Sequence, residues 1–292
     1  MDENKVLSRL ASSDVVALKH KEINDNTFQS ALDEHNILMR LSRVFGLDVV
    51  PSDQLRKDMI EFLQKSDLTV NFKVSGMFAS KVRGGLLNTF ERPGSSNNGY
   101  LQTRNRAEEG MFGYSSKGSR AKGSQAVFDR LKAFGNRDSE DFVASMRPKY
   151  GALNYTNDPN GAAGGPVYGR SYMVLKEHIK HNCTYTAMDS FAYASNPSIG
   201  DKVASFLNMD RVIANLNDTQ LRLLKAMVDN PDAKKTRNHY IEAQIHGEIR
   251  FDRDVDSMYI DNMDLSTCDN QREMRKRIES FSRKYKIPVH YK

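Results

Sequence analysis

The stretch HYIEAQIHGEIRFDRDVDSMYID, from His239 to Asp261, holds the densest set of side chains able to do chemistry. Tyr240, Glu242, Gln244 and His246 alternate with Ile241, Ala243 and Ile245, and this period of two predicts a strand with one polar and one apolar face. A phenol, a carboxylate, an amide and an imidazole in one row, held rigid by an aliphatic back, suit the wall of a pocket. An ordinary strand with one wet face produces the same alternation, so the upstream residues have to decide. Read instead as a helix, the segment would put His239, Glu242 and His246 at i, i+3, i+7 on one face, a spacing able to ligate zinc or manganese. The β-branched neighbours and Gly247 favour the strand, on which His239 points away from the other two.

Upstream, Arg83 precedes Gly84-Gly85 in LTVNFKVSGMFASKVRGGLLNTF, a segment rich in β-branched and aromatic residues where strands are expected. Glycines let a backbone or ligand come close, and a guanidinium beside them can hold a phosphate or an amide edge through its planar fork of donors. Ser171, just after Gly169-Arg170, lies in a strand expected from Val167 through Tyr168, Tyr172, Val174 and Leu175. Ser190, with Asp189 beside it in YTAMDSF, is ambiguous in the same way: such a serine satisfies a backbone group or a ligand. Residues 91–122 are dense in Gly, Ser, Asn and Arg and read as one long loop, where Arg104, Arg106, Lys117, Arg120 and Lys122 alternate with Tyr100, Phe112 and Tyr114. That mixture can grip a nucleic acid by phosphate contacts and stacking, or close over a small anionic ligand.

Two helices precede these segments. One is capped at Asn26 or Thr27 and runs to Phe45, where Gly46 ends it; the next starts at Pro51-Ser52 and places Leu55, Met59, Ile60 and Leu63 on one face. Residues 1–70 therefore read as a helical subdomain and 71–292 as an α+β domain. Within the latter, Ser124 and Ser139 cap short helices reaching Phe134 and Met146, and another helix spans Thr219 to Val228. Near the end, Met274, Ile278, Phe281 and Tyr285 form a helical stripe opposite Arg272, Arg275, Lys276, Arg277, Arg283 and Lys284; such a helix packs by its stripe and either solvates its charges or meets a nucleic acid. A net charge of +6 agrees with an acidic or nucleic-acid partner. Cys183 and Cys268 lack the spacing of a metal knuckle, and the expectation is a reducing compartment. Without a basic-then-apolar leader or an apolar run of ~20 residues, the expectation is no membrane span and a cytoplasmic protein, or one delivered into a target-cell cytosol without a cleaved signal.

The strings TFERPGSSNNG, EEGMFGY, RPKYGALNY, YGRSYMVLK, TAMDSF and YIEAQIHGEIRFDRDVD, in this order and closed by RKYKIPVHY, resemble a bacterial family known only as a domain of unknown function, over roughly residues 78–291. Arg83, Ser171 and Glu242, in that order on three expected strands, also resemble the ADP-ribosyltransferases. That second resemblance implies a split antiparallel sheet and NAD as the cofactor. It also implies that Arg83 holds the phosphates or ribose, that Ser171 braces the nicotinamide side and that Glu242 accepts the ribose 2′-hydroxyl. Gly84, Thr89, Ser95 and Tyr240 then join Arg83 and Ser171 around NAD, while Arg104, Arg106, Tyr114 and His246 face the acceptor. Toxin-type members carry Glu-x-Glu, and here Gln244 stands where their catalytic glutamate would be. Tyr240-Ile241-Glu242 is closer to the poly-ADP-ribose-polymerase-like pattern, which makes Glu242 the catalytic carboxylate because an amide supplies no charge.

Three function classes remain open on these residues. The first is an NAD-dependent transferase, a toxin, effector or regulator, that moves ADP-ribose to a protein or nucleic acid and needs no metal. The second is a metal-dependent hydrolase or nuclease built on His239, Glu242 and His246. The third is a catalytically inactive binding module, for which Gln244 is the best support.

Overall fold

The computed structural model describes residues 16–17, 19–79, 84–91, 98–112, 147–163, 165, 167–235 and 240–292. The helices expected from Ser124 and Ser139 lie outside them. Helix α1 (Thr27–Phe45) starts where the Asn26 side chain accepts a hydrogen bond from the Gln29 amide at 3.0 Å, and it stops at Gly46, whose φ of 69° only glycine adopts readily. Helix α2 (Val49–Lys65) begins two residues before Pro51, which sits in the first turn where its missing N–H is not needed. Both helices turn a stripe inward: Ile37 and Leu41 from α1, Leu55, Met59 and Leu63 from α2.

The strands are β1 (Leu68–Phe72), β2 (Gly85–Leu86), β3 (Lys149–Leu153), β4 (Ser171–Leu175), β5 (Cys183–Thr186), β6 (Ala204–Ser205), β7 (Ile241–Ile245), β8 (Ile249–Arg250), β9 (Val255–Ile260) and β10 (Val289–Tyr291). Eight of them form one sheet in the order β10-β9-β4-β1-β3-β7-β5-β6, and β2 pairs with β8 in a separate ribbon. Every neighbouring pair in the large sheet is antiparallel except β9 with β10. The chain is thus a mixed α/β protein with a large, mostly antiparallel sheet. No helix among the described residues is long and apolar enough to cross a membrane.

Directly opposed residues of neighbouring strands share a face, so the register sorts the sheet's side chains into two sets. Leu68, Leu153, Met173, Leu175, Ile241, Ala243, Ile245, Met258 and Ile260 make one apolar set, and they are continuous in a single core with Ile37, Leu41, Leu55, Met59 and Leu63. Helices α4 (Asp210–Asn215), α5 (Asp218–Asp229) and α6 (Gln271–Tyr285) contribute Val212 and Ile213, Leu221 and Leu224, and Ile278, Phe281 and Tyr285, to that core. The boundary expected at residue 70 falls inside the central strand β1, and the N-terminal helices share the sheet's own core. The opposite face is polar, and it carries the site.

Two local differences from the sequence reading matter there. Residues 98–112, expected as loop, form helix α3 (Asn98–Phe112). Its inward face mixes Ala107, Met111 and Phe112 with Arg104 and Glu108, so charges interrupt the apolar period that would have announced it. Strand β4 starts at Ser171, not Val167, because the chain turns at Gly169 (φ 94°), where a Cβ would stand 2.2 Å from the Phe72 carbonyl oxygen.

Candidate functional site

On the polar face, Thr186, Glu242, Ala152, Thr69 and Val174 form one cross-strand row, and Thr184, Gln244 and Tyr150 form the next. Both faces of β7 are buried, with Glu242 only 5% exposed and Gln244 fully enclosed. The cover is α3 together with the 3-10 turn Ser190–Ala194. They meet at Gly110, where any Cβ would lie 2.1 Å from the Tyr193 ring. Farther along, the Phe112 ring stands edge-on to His246 with centroids 4.9 Å apart.

Glu242 is held entirely through one oxygen. Its Oε1 accepts from the Ser190 hydroxyl, from the Ser190 amide at 3.3 Å and from Gln244 Nε2 at 2.8 Å. Among the described residues, Oε2 accepts no hydrogen bond. Gln244 also donates to Thr186 Oγ1 (3.0 Å) and accepts from Thr184 Oγ1 (2.9 Å), while Thr184 Oγ1 lies 3.0 Å from His246 Nε2. Gln244 is therefore the brace of Glu242, with both ends of its amide engaged. Burial pushes the Glu242 carboxyl up to about 7; Arg104 pulls it down, Asp189 raises it further, and the bonds from Ser190 and Gln244 pull it down. Burial also holds His246 down at about 3, assisted by His20 and Lys149, so this imidazole is neutral at any ordinary pH.

Arg104 projects from α3 into the same cluster. It is 3% exposed, donates from Nη1 to Ser190 Oγ at 3.0 Å, and lies between the Tyr150 ring (4.0 Å to the centroid) and the Phe191 ring (5.0 Å). Its Nε is buried with no acceptor among the described residues. Burial works against its charge, yet the net shift is upward and the guanidinium stays protonated, with the Tyr150 and Phe191 ring faces and the Glu242 carboxyl beside it. Tyr150 donates to Glu108 Oε1 at 2.7 Å, and Glu108 in turn pairs with the buried Arg147 at 2.8 Å. Tyr100, partly exposed, stacks on Phe191 at 5.2 Å. Tyr168 and Tyr240 are close enough to Glu242 and Asp189 that, after burial, those charges raise both phenols. The result is a buried carboxylate and guanidinium under a rim of aromatic rings.

Of the residues singled out from sequence, the structure brings together Glu242, Gln244, Tyr240, His246 and Arg104. Ser171 is not among them. It opposes Phe72, three positions from Thr69 in the Glu242 row, so it faces the other side of the sheet and stands three strands away, about 14 Å. There its Oγ accepts from the Asp261 amide at 3.0 Å and its own amide donates to Asp264 at 2.7 Å. Gly84 adjoins the β2–β8 ribbon, its carbonyl accepting from the Phe251 amide, and Thr89 opens the half-buried turn Thr89–Glu91. Arg106 is exposed on α3. Arg83, Ser95, Tyr114 and His239 lie outside the described residues. In the strand conformation Glu242 and His246 are four residues apart, about 13 Å, too far to share one ion. Among the described residues no group of three His, Cys, Asp or Glu is arranged to hold a metal.

Sequence reasoning did not assign Tyr150, Glu108, Arg147 or Thr184 to the site. Tyr150 was within reach of it: period two in KYGAL puts Tyr150 on the side of Ala152, and pairing with β7 puts that side on Glu242. No comparable signal exists for Glu108 or Arg147, whose partners come from other elements.

The fold and site define a mixed α/β protein whose antiparallel sheet encloses a carboxylate–arginine cluster on its polar face. The chain belongs to the family described as Protein of unknown function (DUF3626), which matches residues 100–217 and 203–292 and so spans α3, the 3-10 turn and β7. No curated protein matches it.

Proposed function

We propose that this protein is an ADP-ribosyltransferase that takes ADP-ribose from NAD to a macromolecular acceptor, with Glu242 as the catalytic carboxylate and a fold of the ADP-ribosyltransferase type. The observation that carries this reading is the geometry of Glu242: among the described residues its three donors all end on Oε1, and Oε2 takes none of them, which suits it to accept from a ligand hydroxyl. Breaking the bond between ribose C1′ and the nicotinamide nitrogen sends the electron pair to the ring, which leaves neutral, and leaves positive charge on the ribose. A fixed carboxylate bonded to the 2′-hydroxyl stabilises that charge. The acceptor nucleophile then forms its bond to C1′ and gives up a proton.

The surrounding groups suit the rest of such a substrate. Arg104 keeps an Nε donor for an anionic or amide group, a role the sequence resemblance gave to Arg83. Tyr100, Tyr168 and Tyr240 are neighbouring rings on which a planar base can stack. Gln244 fits this scheme as the brace that keeps Oε1 occupied and Oε2 presented.

The test uses NAD labelled in the adenine moiety with a cell lysate, reading both label transfer and nicotinamide release, for wild type and Glu242→Gln. Transfer by wild type and its loss in the variant is expected. An active Glu242→Gln protein, or a wild type that neither releases nicotinamide nor binds NAD, would overturn the proposal and leave the binding-module reading.

A further inference from the structure

We propose that the outer face of α6, with Tyr291 on the edge strand β10, is a docking surface for single-stranded nucleic acid. The helix carries Arg272, Arg275, Lys276, Arg277, Arg283 and Lys284 against only Glu273 and Glu279, and Lys286 follows it. Among the described residues, Arg277 is the only one of these bases paired with a carboxylate, Glu273 at 3.3 Å; its guanidinium also holds the carbonyls of Phe78 and Ala79. The other bases are exposed. Arg272, Lys276 and Arg283 fall on one side over eleven residues, about 17 Å, long enough to follow several consecutive phosphates.

The apolar stripe decides which polyanion fits. Phe281 packs edge-on to Phe78 (5.5 Å) and to Phe251 (4.9 Å), Tyr285 tilts against Phe251 (5.4 Å), and Ile278 is fully buried. A basic helix binds a bilayer by sinking its apolar face among the acyl chains. Here that face is already committed to the core, which leaves a purely electrostatic surface toward the solvent. Beside it, Tyr291 is 39% exposed and Arg275 lies 4.9 Å over its ring. An exposed ring next to a row of cations is the arrangement that stacks a base while the backbone is neutralised.

The surface does not depend on the transferase reading, and its assay contains no NAD. Fluorescence anisotropy with a labelled single strand of about 20 nucleotides, repeated over a salt series, should show binding by the full chain whose log K falls linearly with log salt. Replacing Arg272, Arg275, Lys276 and Arg283 together by Gln should weaken binding and make that slope shallower by about 3, since each phosphate contact on a single strand contributes about 0.7. Tyr291→Ala should cost about tenfold on the single strand with little change on a duplex. Absence of binding by wild type, an unchanged slope in the folded fourfold variant, or capture by phosphatidylserine vesicles without strand binding would each overturn the proposal.

Discussion

Replacing Glu242 by Gln should remove the proposed transferase activity and yet make the folded protein more stable above neutral pH. Below 4.5, the ordinary value of this carboxyl, the group is protonated in both the folded and the unfolded chain and pH has no leverage through it. Above 4.5 the unfolded chain ionises freely, while the folded protein must ionise a carboxyl that burial holds at about 7. Stability is therefore lost as pH rises from 4.5 to about 7, and the loss then levels off at about 3 kcal/mol. A glutamine keeps an oxygen where Oε1 accepts from Ser190 and Gln244, and it turns its NH₂ toward the position of Oε2, which takes no bond from the described residues. It carries no charge to desolvate. Urea unfolding of both proteins at matched pH should then show near-equality at pH 4.5 and a variant more stable by up to about 3 kcal/mol near pH 8. His246, held neutral, acts in the opposite direction on acidification but equally in both proteins, so it cancels in the difference. A difference that stays flat across this range, or a variant less stable near neutrality, would refute the claim that Glu242 is a strained ionisable group.

Under the proposed chemistry, nicotinamide release should rise with pH through about 7 as Glu242 ionises; an initial-rate profile that is flat there would separate activity from this carboxyl. Arg104→Met removes the nearest cation lowering Glu242, so the stability midpoint of the Glu242 titration should move upward and NAD binding should weaken, measured by the same unfolding series and by calorimetry. Gly110→Ala drives a methyl group into the Tyr193 ring and should cost about 1–3 kcal/mol, a loss that Tyr193→Ala in the same chain should partly relieve in a double-mutant cycle. Ser190→Ala takes away the hydroxyl between Arg104 and Glu242; the two should then pair directly, and the pH at which Glu242 titrates should fall rather than rise.

Much of the scaffold was legible because its signals are local. Alternation placed β7, the Asn26 cap and Gly46 bounded α1, and the Ile278, Phe281 and Tyr285 stripe identified the buried side of α6. The polar row of Glu242, Gln244 and His246 came with the strand. What covers that row was not legible. Helix α3 buries Arg104 and Glu108, and a pattern built on apolar periodicity reads such residues as loop or surface. Their burial is possible only because Ser190, Tyr150 and Arg147 come from elsewhere in the chain to meet them. Ser190 itself lies 52 residues from Glu242, so its ambiguity could be resolved only by the register of β5 against β7. Ser171 shows the converse: order along the chain matched a known arrangement, but face and strand order separate it from Glu242.

The arrangement around Ser190 is hard to explain by stability alone. A buried carboxylate and a buried guanidinium in one cluster would gain most by pairing directly, which would satisfy both and lower the Glu242 carboxyl. Instead the serine hydroxyl stands between them, accepting from Arg104 and donating to Glu242. Among the described residues, the consequence is a buried donor, Arg104 Nε, with no acceptor, and an oxygen, Glu242 Oε2, that takes no bond while Oε1 takes three. A donor buried without a partner, as Arg104 Nε is, costs about 1–3 kcal/mol, and a direct ion pair would remove that cost. A fold selected only to persist would close that gap, whereas a site that receives a hydroxyl and an anionic or amide group, as we propose, has to keep it open. The same reasoning accounts for Gln244: a second carboxylate there would repel Glu242, whereas an amide donates to Oε1 and holds the carboxylate in place.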